Sequence, residues 1–149
     1  MAGFALGPMP GTSVAEAADI IISETDLPAI PQLPDRGLGS DAVGRTASML
    51  EAINIDRGPR SWRMTARPQL LTRRTWDRLE RDLDEVQGVW GETVSHIKVQ
   101  ALGPWSLAAS IELSDGHRVF TDSSAFAELS DALLHGLHTH AHDVASRFH

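Results

Sequence analysis

The sequence predicts an α/β chain of parallel strands joined by helical crossovers, an open arc of β/α units forming the first portion of a (β/α)8 barrel. Three observations predict it. Short apolar stretches run into loops rich in glycine and proline, amphipathic helices follow them, and no Asn-Gly dipeptide marks a hairpin. Two or three parallel strands make a poor free-standing sheet, because a parallel sheet needs cover on both faces. A complete barrel needs about 250 residues, against 149 here. The expected organisation is a single segment: residues 1–53 form the first β/α unit with a proline-rich arm, and residues 54–149 form the units that follow.

Residues 3–6 are apolar and lead into the breaker-rich Gly7-Pro8-Met9-Pro10-Gly11-Thr12-Ser13. Thr12 or Ser13 can cap a helix, with Glu16 completing a capping box, and Val14, Ala17, Ala18 and Ile21 recur at helical spacing. Residues 27–39 carry Pro28, Pro31 and Pro34, which exclude helix and central strand alike. A connection this long inside a domain suggests a functional loop or packing arm. Residues 41–53 read as a helix through Val43, Ala47, Leu50 and Ile53. Residues 61–64 read as a short strand. Residues 72–88 read as a charged helix burying Trp76, Leu79, Leu83 and Val86, with Gly88 as its stop and Asp77 paired with Arg81. Residues 96–102 alternate as a buried strand does and end at Gly103-Pro104. Residues 106–113 suggest a short helix. The last helix starts after Ser123 or Ser124 and runs towards Phe148, with Phe126, Leu129, Leu133, Leu137, Ala141 and Val144 on its buried face.

Composition narrows the function. A net charge of -7 argues against nucleic acid as a main partner, since phosphate binding needs a basic surface. There is no cysteine, so no disulfide and no thiolate ligand or nucleophile. No stretch approaches the roughly 20 apolar residues of a membrane span, and the N-terminus lacks the pattern of a secretory signal, so the expectation is a cytoplasmic protein.

Three stretches, in order, carry a resemblance. They are Ala5-Leu6-Gly7-Pro8-Met9-Pro10-Gly11-Thr12; then Leu33-Pro34-Asp35-Arg36-Gly37 with Gly39-Ser40-Asp41-Ala42-Val43-Gly44-Arg45-Thr46; then Ile97-Lys98-Val99-Gln100-Ala101-Leu102-Gly103-Pro104-Trp105-Ser106-Leu107-Ala108. Together they resemble the cobalamin-independent methionine synthase family in its short single-barrel form, within the methionine synthase / uroporphyrinogen decarboxylase-like barrels. The resemblance implies a methyltransferase that moves a methyl group from methyl-tetrahydrofolate to homocysteine, whose thiol a zinc ion activates. It places Leu6, Gly7 and Pro8 at the loop that holds the amino-acid part of homocysteine. Two departures stand out. Pro8 replaces a serine and supplies neither hydroxyl nor backbone N–H. Ala109 and Ser110 stand where larger members have an aromatic residue that stacks the pterin, leaving Trp105 as the nearest substitute. The family's zinc ligands, a histidine, a carboxylate and two cysteines, belong to its later half, so neither zinc nor a catalytic residue is expected within this chain.

Barrel sites lie at the C-terminal ends of strands, where Gly7, Asp41, Trp62 and Gly103 are expected to converge with Trp105. Asp41 also reads as a plain N-cap, and Arg36 and Arg45 as carboxylate-binding or simply exposed arginines. A rival reading is a small non-catalytic binding protein. His135, His138 and His142 share one helical face and suit a divalent metal, although surface histidines are common. An incomplete sheet with open edges also predicts self-association.

Overall fold

A computed structural model of the chain describes residues 1–92 and 94–149. The expected opening helix is α1 (Val14–Glu24): Ser13 Oγ accepts from Glu16 N, and Val14, Ala17, Ala18 and Ile21 are buried. Before and after α1 the chain is extended. Phe4 bridges Leu27 and Pro8 bridges Gln32, both in parallel, and Ala29 bridges Lys98, again in parallel. The arm of residues 27–32 is therefore the middle of three parallel lines that follow chain order. Proline keeps each pairing short rather than preventing it. Ile30 N donates to Lys98 O and Lys98 N to Pro28 O on one side, while Gln32 N donates to Gly7 O and Met9 N to Gln32 O on the other. Pro28 and Pro31 have no N–H to extend these ladders.

The regular sheet lies elsewhere and corrects the expectation of parallel strands alone. β1 (Asn54–Arg57) pairs antiparallel with β2 (Trp62–Thr65) in the register Asn54↔Thr65 to Arg57↔Trp62. A four-residue connection beginning Gly58-Pro59 closes this hairpin through Gly58 N to Ser61 O. Strand β3 (Ile111–Glu112) adds to β2 in parallel. A second antiparallel bridge, Glu112↔Arg118, closes over Asp115-Gly116, where Gly116 has φ +86°. Asp-Gly is itself a tight-turn signal.

Three helix ends also differ from the periodicity. Helix α2 (Ala42–Ala47) stops before Met49 and Leu50, and Ala52 takes φ 62°, turning the chain into β1. Helix α3 (Leu70–Trp90) passes through Gly88 and ends at Gly91, whose φ of 74° suits glycine. Arg81 Nε reaches the backbone oxygen of Asp77 rather than its carboxylate. After α4 (Pro104–Ser110), the long α5 (Ser123–Arg147) is capped by Asp122, which accepts from Ser124 N and Ala125 N, so the serines lie inside the helix.

Two apolar clusters hold these elements. One joins α1, Ile30 and Leu33, the C-terminal half of α3, and Val144 and Phe148; within it Trp90 Nε1 donates to Ala18 O at 2.8 Å. The other joins Ala47 and Leu50, Ile55 and Trp62 of the sheet, Leu107 and Ala108 of α4, and Leu129 and Leu133 of α5. Among the described residues no helix is long and apolar enough to cross a membrane.

Candidate functional site

The C-terminal ends of the three parallel lines meet at Gly7, Gln32 and Gln100. Gly7 is buried with φ +126°, a conformation that favours glycine, and the Gln100 side chain packs directly over it, in the space a Cβ would take. Gln100 Nε2 donates to Ile30 O at 2.7 Å, and Gln32 Nε2 reaches Gln100 O at 3.4 Å. Lys98 Nζ donates to Leu6 O at 2.9 Å and lies 3.3 Å from Gln100 Oε1. The result is a small polar cluster at the mouth of the array, with one ammonium group against a glycine loop and the Gln100 side chain filling the space over Gly7. Leu6 and Pro8 stand exposed on its rim. Lys98, Gln100 and Gln32 were not among the residues singled out from sequence. Lys98 and Gln100, two apart in an alternating stretch, share one strand face, and that spacing was the available signal.

Gly103 caps the start of α4 and is exposed. Leu102 N, one residue earlier, donates to Thr46 Oγ1 of α2, which ties this loop to the second cluster. Trp105 is 68% exposed and stacks on Phe126 with ring centroids 4.4 Å apart. It offers an apolar face to solvent beside the Gly103-Pro104 turn.

Asp41 and Trp62 do come together, as a structural pair. Asp41 Oδ1 accepts from Gly39 N, while Oδ2 accepts from Gly44 N and from Trp62 Nε1 at 3.0 Å. Trp62 is buried in the second cluster. The carboxylate is thus engaged in capping α2 and anchoring the indole. Asp41→Ala should cost about 1–2 kcal/mol, a lost cap plus an orphaned buried indole N–H. A urea denaturation midpoint indistinguishable from the parent would contradict that role.

The arginines are not surface groups. Arg36 places both terminal nitrogens on Asp82, at 2.8 and 2.6 Å, and Arg45 is buried with Nη1 3.9 Å from the same carboxylate. Burial pushes Arg45 down to about 10; the Asp82 charge opposes this, and that of Arg36 adds to it. Of the helix-α5 histidines, His135, His138 and His142 are exposed, and among the described residues no group of three or more His, Cys, Asp or Glu side chains is placed to hold a metal ion. His140 is instead buried beside a cavity of about 400 Å³ that Met49, Trp76 and Asp143 help to line. Burial, and secondarily the charge of Arg45, push its pKa down to about 4, with Asp143 acting against them.

A neutral buried histidine binds fewer protons than its unfolded counterpart between about pH 4 and 6.5. Its contribution to stability is therefore complete above pH 6.5 and is lost as pH falls towards 4. His140→Gln should flatten this acid-side fall in the urea midpoint; equal slopes in both proteins would show that His140 does not titrate this way.

Comparison with protein-family models, with curated proteins and with solved structures finds no match to this chain.

Proposed function

We propose that residues 1–149 are the front β/α units of a (β/α)8 methyltransferase barrel of the cobalamin-independent methionine synthase kind, in which methyl-tetrahydrofolate and homocysteine are the substrates. The observation that carries the reading is the parallel array itself. Residues 4–9, 27–32 and Lys98 run parallel in chain order, as the first lines of a barrel do, with α1 between the first two and α2, the β1–β2 hairpin and α3 before the third, and Gln100 packs on Gly7 at their C-terminal ends. The two further lines of support are the order of the three sequence stretches and the site rule for barrels.

In this reading the chain contributes substrate recognition. The Leu6–Gly7–Pro8 loop lies against the backbone-like part of a small amino acid, Lys98 supplies a cation for its carboxylate, and the exposed Trp105 face offers stacking area to a flat heterocycle. Pro8 donates no hydrogen bond, so the carboxylate is held through Lys98 instead. Zinc does not fit these residues: cysteine is absent, and no acidic or histidine cluster replaces it among the described residues. No chemical step is therefore assigned to this chain.

The test is a titration of isotope-labelled protein with L-homocysteine. Amide shifts should gather at Leu6, Gly7, Gln32 and Gln100 and weaken in Lys98→Met. Shifts confined to the opposite ends of the parallel lines, or none at saturating ligand, would overturn the assignment. So would methyl transfer catalysed by these residues alone.

A further inference from the structure

Between α2 and α3 lies a small, partly open space whose charges do not balance. Arg36, Arg45, Arg78 and Asp82 line it, three guanidinium groups against one carboxylate, with Ser40 beside them. Asp82 is already chelated by both terminal nitrogens of Arg36, leaving Arg45 at 3.9 Å. Arg45 Nε and Arg36 Nε are buried without hydrogen-bond partners. The Arg45 side chain is only 7% exposed, so bulk water reaches little of it. Ser40 Oγ accepts from Arg78 Nη1 at 2.8 Å, which leaves its own proton to donate. Beyond the lining, Glu85 acts on Arg36 from the outside, and His140, held neutral, adds no further positive charge beside Arg45.

A buried guanidinium whose one carboxylate stands off at 3.9 Å, already held by Arg36, is costly unless a further anion accompanies it. The space decides what that can be. It offers about 10 Å³ to the centre of a water-sized sphere, room for one ion somewhat wider than water. We infer that Arg45, Arg36 and Ser40 bind a single monatomic anion, chloride under ordinary conditions, as a structural ion between α2 and α3. The site is separate from the mouth at Gly7, and its existence does not depend on the methyltransferase reading.

The experiment exchanges anions at constant ionic strength. Thermal unfolding of the full chain is followed as sodium methanesulfonate is replaced by sodium chloride or sodium bromide. The midpoint should climb and then saturate with either halide. Crystals in bromide should show an anomalous peak among Arg45, Arg36 and Ser40. Ser40→Ala should raise the half-saturating chloride concentration roughly tenfold, as loss of one charge-assisted hydrogen bond does, and Arg45→Met should abolish the response. Midpoints unmoved by the exchange would overturn the inference, as would bromide density absent from this space in the parent protein, since neutral water would then fill it. A full halide response retained in Arg45→Met would also overturn it. The bromide and parent-protein measurements stand even where Arg45→Met does not fold.

Discussion

Gly136→Ala is expected to cost about 3 kcal/mol, at the upper end of what overpacking one methyl group does. Gly136 is buried in the middle of α5, and a Cβ built there would sit 1.7 Å from Met49 O and 2.6 Å from Met49 C. Those atoms are main chain, so no rotamer change relieves the clash. Either α5 lifts away, opening the contacts of Leu129, Leu133 and Val144, or the turn after α2 shifts. The intrinsic gain from replacing a helical glycine with alanine is about 1 kcal/mol and does not offset this. The control is Gly88→Ala, in α3 and exposed, where an added Cβ meets nothing within 4 Å. That change should stabilise by up to about 1 kcal/mol. Guanidinium midpoints of the two variants should therefore move in opposite directions. A Gly136→Ala protein as stable as the parent would mean that α5 does not press on Met49.

The same contact explains why α2 is shorter than its periodicity predicts. Val43, Ala47, Leu50 and Ile53 do fall at helical spacing, yet the chain leaves the helix after Ala47 so that the Met49 carbonyl can rest on Gly136. A tertiary contact 87 residues along the chain leaves no trace in a local window. By comparison α1, α3 and α5 were legible, because each carries an apolar stripe long enough to dominate its neighbours' preferences. The hairpin of β1 and β2 was not, since Gly58-Pro59 begins a longer connection than the two-residue turns with strong signatures, and β1 offers only Ile55 to the core. Asp115-Gly116 was a readable signal for antiparallel closure that the parallel expectation overlooked.

The candidate site divides along similar lines. Glycine at position 7 was legible because a breaker after a short apolar run marks a strand end, whereas its closeness to Gln100 was not, since the Gln100 side chain reaches it across the middle line through Ile30 O. What could not be read was which polar groups the arm of residues 27–32 would bring to that mouth. Gln32 sits between prolines and a helical turn with no periodicity to assign it a face. Asp41 and Trp62 lie 21 positions apart and satisfy each other, so an acidic residue and an indole that resemble ligand groups in sequence are consumed by the fold.

Asp82→Asn should be the other severe substitution, costing about 3–5 kcal/mol, because it removes the one carboxylate that two buried or half-buried guanidinium groups share. Asp82 itself is 3% exposed, and Arg36 and Arg45 lie 2.6 and 3.9 Å from Oδ2. Asparagine preserves the volume, so no cavity contributes and the loss measures charge. The amide also turns an N–H group towards one arginine, replacing attraction with repulsion between donors. Much of the cost arises from stranding Arg45, so removing that charge as well should recover part of it. The double variant Asp82→Asn with Arg45→Met is therefore expected to be more stable than Asp82→Asn alone, even though Arg36 keeps only a neutral amide oxygen at position 82, solvent and the charge of Glu85. Denaturation midpoints of the parent, both single variants and the double give the coupling directly. Strict additivity would show that Arg45 and Asp82 do not sense each other across 3.9 Å, and a single-variant loss below about 1 kcal/mol, the range of exposed ion pairs, would place the cluster in contact with water rather than within the fold.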